Sequence, residues 1–223
     1  MKIVVDYGHG GNDPGAVANN VYEKNINKLV GERVKYHLER HSQTVVLTRH
    51  NDETVTLDER VNIINMNNCD IGISIHCNSF ANETAQGVEV YTWGNGTREK
   101  QLAKSVLNSV LKDKLYTKNR GLKEEHFRVL SPQIPICLIE LGFITNIQDK
   151  TLILDNIENF AIAITKGLLG FYEIAYKNED KAPSTNNKLY RVQVGAYSNL
   201  ENAKKMQVVL KNIGIESIIK EEV

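Results

Sequence analysis

The chain predicts an α/β fold, a mixed and mostly parallel sheet flanked by helices, with a small C-terminal β-α-β module. Strand-like and helix-like segments alternate from the N-terminus to about Lys177. Apolar runs such as Lys2–Asp6, Asp70–Ile75 and Ile136–Ile139 also stop abruptly at polar residues, and it is at the carboxyl ends of such strands that open α/β sheets collect ligands.

Strands are expected near 2–6, 44–49, 70–76, 87–93, 126–130 and 136–141. The helices are better marked. Residues 22–40 carry Ile26, Leu29, Val30, Val34 and Leu38 at helical spacing, and residues 97–115 carry Leu102, Val106, Val110 and Leu111. Thr56-Leu57-Asp58-Glu59 has capping-box form, which starts a helix at Leu57 and buries Leu57, Val61 and Ile64. A last helix, rich in Ala, Ile and Leu, covers about 157–176. Residues 177–187 then lose all apolar periodicity around Pro183 and read as a linker. Beyond it, Leu189–Val194 alternates like a half-buried strand and Ser198-Asn199-Leu200-Glu201 is a second capping box. Ala203–Leu210 has helical spacing, and a short strand is expected over Ile215–Lys220.

The 223 residues suffice for one well-buried core and a small appendage. Lys+Arg and Asp+Glu are 27 each, so there is no basic footprint for nucleic acid. No apolar stretch approaches a membrane span. Met1-Lys2 leads straight into a short strand with no apolar h-region, so the protein is expected to be made in the cytoplasm without a signal peptide and to act after release. Cys69, Cys77 and Cys137 are odd in number and lack Cys-x-x-Cys spacing, which points to reduced, buried thiols.

Four polar residues sit where a strand ends or the next helix begins: His9, Glu23, His76 and Glu140. Two imidazoles and one carboxylate form a recognised catalytic zinc set. Alternation along the third strand puts His76 on the face of Ser74 and turns Cys77 away. Glu140 follows an apolar run, and a carboxylate at a core edge is costly unless paired or protonated. Taken singly, each residue has an ordinary reading. Either histidine could be a satisfied polar group, Glu23 a first-turn acid favoured by the helix dipole, and Glu140 half of an ion pair with Arg60 or Arg128. His126, after Glu124-Glu125, is a further candidate. His37, His41 and His50 read as solvated, and Tyr91 and Trp93 as core-edge packing or a sugar contact.

Asp6-x-Gly8-His9-Gly10-Gly11-x-Asp13-Pro14-Gly15-Ala16, Glu23, Ser74-Ile75-His76-x-Asn78, Gly87-x-Glu89-x-Tyr91 and Glu140-x-Gly142-Phe143-x-x-Asn146 together resemble the zinc-dependent N-acetylmuramoyl-L-alanine amidases of the amidase-3 family, over residues 1 to about 175. Tyr7 stands where that family commonly has proline. The resemblance implies a catalytic domain over 1–176 that cleaves the amide between N-acetylmuramic acid and L-alanine in peptidoglycan. It implies one zinc ion on His9, Glu23 and His76, with Glu140 as the catalytic glutamate. The run from Tyr190 to Ser198, with Asn202-Ala203 and Gly214, resembles the opening half of a SPOR domain, a family that binds peptidoglycan. This makes 188–223 an expected wall-binding or dimerisation module, two tails pairing to give a homodimer. A phage endolysin and a mother-cell autolysin of sporulation both fit. The alternative is a non-catalytic peptidoglycan-binding or regulatory protein that retains the fold.

Overall fold

The computed structural model describes residues 1–94, 96–178, 193–212 and 217–221. The chain divides into two units, Met1–Asn178 and Glu179–Val223.

The first unit is built on a six-stranded sheet: β1 Lys2–Tyr7, β4 Thr44–Leu47, β5 Ile71–Asn78, β6 Val88–Thr92, β7 Asn119–Glu124 and β8 Ile136–Phe143, with β2 Val17–Ala18 and β3 Val21–Tyr22 forming a separate small hairpin. The sheet order is β4-β1-β5-β8-β6-β7. Pairing is parallel throughout except between β6 and β8. Helices α1 Glu23–Arg40, α3 Thr97–Lys112 and α5 Ile157–Gly170 cover one face. There the odd-numbered strand residues Ile3, Val5, Tyr7, Ile71, Ile73, Ile75, Cys77, Cys137 and Ile139 join the main core. The opposite face carries Val4, Ile136 and Leu138, under Ile64 of α2 Leu57–Met66 and the 3-10 turn Arg128–Leu130. Both faces of the central strands are thus apolar, which explains their near-continuous hydrophobic runs.

Thr56 makes the expected capping box: its hydroxyl accepts from the Glu59 amide and the Glu59 carboxylate accepts from the Thr56 amide. The three cysteines are buried free thiols. The strand expected over 126–130 is corrected. Those residues form the 3-10 turn, and the edge strand is Asn119–Glu124, whose polar, glycine-containing sequence gives little β signal. Helix α4, Ile147–Asp155, was not foreseen, although Asn146 caps it by accepting from the Gln148 and Asp149 amides. His37 is buried, not solvated, with Nε2 2.8 Å from Glu158 and Nδ1 3.0 Å from the Tyr176 hydroxyl.

In the second unit, helix α6 spans Leu200–Asn212. Its first turn is capped by Asn199, whose side chain accepts from the Glu201 amide, and so one residue later than the expected Ser198. Of the two strands expected there, residues 193–194 and 217–220 are not strand; residues 189–192 and 215–216 lie outside the described residues. No described helix is long and apolar enough to cross a membrane.

Candidate metal centre

After β1 the chain must turn sharply to reach the small hairpin, and His9-Gly10-Gly11 makes that turn. His9 itself adopts φ 62°, a left-handed conformation that a non-glycine residue holds only when its surroundings over-determine it. Two buried arginines do so. Arg49 donates from Nε to the Tyr7 carbonyl and from Nη2 to the Lys24 carbonyl; Arg60 donates to the carbonyls of Tyr7 and His9.

Glu23, the first residue of α1, projects back under this turn and lies between the two histidines. His9 Nε2 is 3.1 Å from its Oε2, and His76 Nδ1 is 2.9 Å from its Oε1. The same carboxylate accepts from the amides of Ala16 and Cys77 and from the Asn27 side chain one helical turn on. Burial pushes the Glu23 carboxyl up, but hydrogen bonds from His76 and His9 outweigh it and hold the group far below the usual carboxylate range. Burial likewise lowers His9, while Glu23 and Asp13 more than reverse this. His9 Nδ1 is 2.8 Å from the Asp13 carboxylate, so its Nε2 faces Glu23.

One donor atom from each of His9, Glu23 and His76 lies within 4.8 Å of the others. Two imidazole nitrogens and a carboxylate at this spacing suit a zinc-class cation, and an acid holding one imidazole by its far nitrogen is the usual outer partner of a metal-ligating histidine. The cradle is cut to these side chains. A Cβ on Gly8 would lie 2.2 Å from the His76 ring, and one on Gly15, at φ +64°, would lie 2.5 Å from Glu23 Oε2.

Register places the fourth residue. His76 on β5 pairs with Glu140 on β8, and Glu140 pairs in turn with Glu89 on β6, so the three form one row across the sheet. Glu140 Oε2 is buried without a hydrogen-bond partner. Burial pushes its carboxyl well above the ordinary range, and the charges of Glu23 and Glu89 push it further. Neither expected ion-pair partner reaches it: Arg60 pairs with Asp6 at 2.6 Å and Arg128 with Asp58 at 2.8 Å. Glu89 is the opposite case. Buried at 1% exposure, it accepts from Arg120 Nε at 2.6 Å, Lys123, Asn78 and the Tyr91 hydroxyl.

His126 is not brought to this row; it is exposed, its ring stacked on Trp93 at 4.7 Å. The roles of Asp13, Asn27, Glu89, Arg49 and Arg60 were not anticipated. Asn27 carried a weak signal, lying four residues after Glu23 on one helix face.

Comparison with known proteins agrees with the fold and the motifs. The Amidase_3 family model, described as N-acetylmuramoyl-L-alanine amidase, matches residues 3–169, and a SPOR domain model matches residues 169–221. The probable cell wall amidase LytH of Staphylococcus saprophyticus is 36% identical over 177 residues, 76% of this chain and 58% of that protein. The sporulation-specific N-acetylmuramoyl-L-alanine amidase of Bacillus subtilis is 30% identical over 222 residues, 98% of this chain and 84% of that protein. Among solved structures, the amidase AmiC2 of Nostoc punctiforme superposes with a TM-score of 0.73 at 34% identity, covering 77% of this chain and 97% of that one. With three-quarters of its length matched in order by one family, this chain belongs to the N-acetylmuramoyl-L-alanine amidases.

Proposed function

We propose that the protein is a zinc-dependent enzyme that hydrolyses the amide between N-acetylmuramic acid and L-alanine in peptidoglycan, with His9, Glu23 and His76 as metal ligands and Glu140 as the acid-base residue. The row His76–Glu140 carries this reading: a metal-type donor set and a carboxylate with a buried, unpartnered oxygen stand side by side on adjacent strands. Zinc held there would supply Lewis acidity toward the scissile carbonyl and a lowered pKa for water.

The chain's own residues supply the rest. Asp13 accepts from His9 Nδ1 and keeps Nε2 free for the metal. The Ala16 and Cys77 amides and Asn27 hold the Glu23 carboxylate in place. Glu140, as carboxylate, takes a proton from the attacking water and, as acid, returns it to the departing alanine nitrogen. The unpartnered Oε2 suits this: among the described residues no donor is fixed on it that would hold one protonation state. The SPOR-matched residues 169–221 provide a second contact with peptidoglycan in this reading. Two such tails pair, and a monomer in sedimentation at working concentration would exclude that pairing.

The test is digestion of purified peptidoglycan by metal-stripped and zinc-restored protein, wild type and Glu140→Gln, with products identified by mass. New N-terminal alanine that requires both zinc and Glu140 is the expected result. Intact peptidoglycan with protein still bound would favour a non-catalytic wall-binding protein, and another cleaved bond would overturn the substrate.

A further inference from the structure

We propose that Arg120 is a specificity-determining residue, the anchor for a free carboxylate on the peptide just beyond the scissile amide; this rests on the amidase reading above. The observation is a β-bulge. Between Val88↔Asn119 and Val90↔Leu122 the register of β6 and β7 shifts, so Arg120 and Gly121 together oppose Glu89. Gly121, at φ +80°, takes the left-handed turn that such a bulge uses. The consequence is that Arg120 comes to the face of the sheet that bears Glu89 and Glu140. Bulges beside active sites serve to re-aim a side chain in this way.

Arg120 then reaches back across the sheet. Its guanidinium lies 5.0 Å from the centroid of the Phe143 ring, on the strand that carries Glu140. Glu140 and Phe143 are three residues apart, at most about 10 Å of extended chain. An extended peptide with its first amide at Glu140 would therefore bring its second residue within reach of the guanidinium.

The charge is available for such a ligand. Arg120 Nε and Lys123 both serve Glu89 Oε2, so two cations face one carboxylate and the group keeps an excess positive charge. Among the described residues Arg120 Nη1 and Nη2 have no hydrogen-bond partner, and the side chain is 29% exposed. A planar guanidinium with two parallel donors free is suited to a carboxylate and much less to a carboxamide, which offers one acceptor and no charge.

The experiment uses two muramoyl-tripeptides identical except at the second residue, which carries a free α-carboxylate in one and a carboxamide in the other. Binding of the two corresponding tripeptides to metal-free protein is measured by calorimetry, and cleavage of the two substrates by the zinc-loaded protein. The wild type should favour the free acid by about ten- to a hundredfold in both measurements. Arg120→Gln should bring the acid-to-amide ratio to about one in both measurements, while Arg120→Lys keeps part of the preference. Equal wild-type binding of acid and amide would overturn the anchor, and that comparison needs no variant to fold. So would an equal loss on both ligands in Arg120→Gln, which would assign Arg120 to the support of Glu89 alone. Cleavage of both substrates without preference leaves the amidase standing and removes the anchor; acid-selective binding with no cleavage does the reverse.

Discussion

Asp6 and Glu140 are carboxylates on the same face of one sheet, Asp6 fully buried and Glu140 half-buried with its Oε2 shut off from water, and their surroundings are opposite. Asp6 accepts from Arg60 at 2.6 Å, from Ser74 at 2.5 Å and from Thr48. Burial pushes Asp6 up, but the Arg60 charge and the two hydroxyls bring it below the usual carboxylate range. Glu140 has an oxygen with no partner, and burial with two neighbouring acids drives it the other way. The satisfied acid is tied into the fold: through Arg60 it is joined to the carbonyls of Tyr7 and His9 and so fixes the turn that presents His9. The unsatisfied acid has no such tie on its Oε2. Buried polar groups are normally paired, and an exception on a strand beside a metal-type cluster is where chemistry is expected.

The sharpest way to break this contrast is Glu140→Gln. Peptidoglycan hydrolysis should fall by about 10²- to 10⁴-fold, as for loss of a general acid-base group, with metal content by elemental analysis unchanged. Full activity in the variant would return Glu140 to a packing role. Next is Asp6→Asn, which leaves Arg60 buried without its counter-charge and should cost about 3–5 kcal/mol in urea unfolding. A loss of no more than about 0.5 kcal/mol, the size of a surface substitution's effect, would mean that Asp6 is no more structural than Glu140. Asp13→Ala releases His9 Nδ1 and should weaken zinc binding by about 10- to 100-fold in chelator competition.

The smallest effect is the most diagnostic. The Glu140 pKa is raised in the folded protein, so stability from this group is present below the unfolded carboxylate range and lost as pH rises through the folded value. Metal-free Glu140→Gln should therefore gain on the wild type in melting temperature as pH is raised. Asp6 has the opposite sign: its stability is present above the unfolded value and lost as pH falls through the folded one. Parallel pH curves for wild type and Glu140→Gln would show that Glu140 is not a strained acid.

How far the site was legible depended on how local each signal is. His9 follows β1, Glu23 starts α1, and His76 and Glu140 stand where the apolar runs of β5 and β8 stop, and periodicity marks those places. Their outer partners could not be found the same way. Arg60 lies 54 residues from Asp6, and Arg49 lies 42 residues from the Tyr7 carbonyl it holds. Such pairings are set by how helices and loops pack over the sheet, not by neighbours in the chain. Strand β7 was missed because an edge strand with one solvated side needs few apolar residues, and its bulge removes the alternation. His37 looked solvated because the residues beside it in sequence are polar; its burial comes from Glu158 and Tyr176, more than a hundred residues on.

The amino-acid sequence by itself determined the α/β class, the strands of the sheet's centre and the four polar residues where an apolar run stops or the next helix begins, because burial on both faces and abrupt polar stops are written in consecutive positions. Tertiary structure alone decided that His76, Glu140 and Glu89 share a row, that Glu140 lacks a partner while Glu89 has four, and that Arg120 faces the site. Those facts depend on strand register and on one bulge, and a shift of a single residue in either would turn the same side chains to the other face.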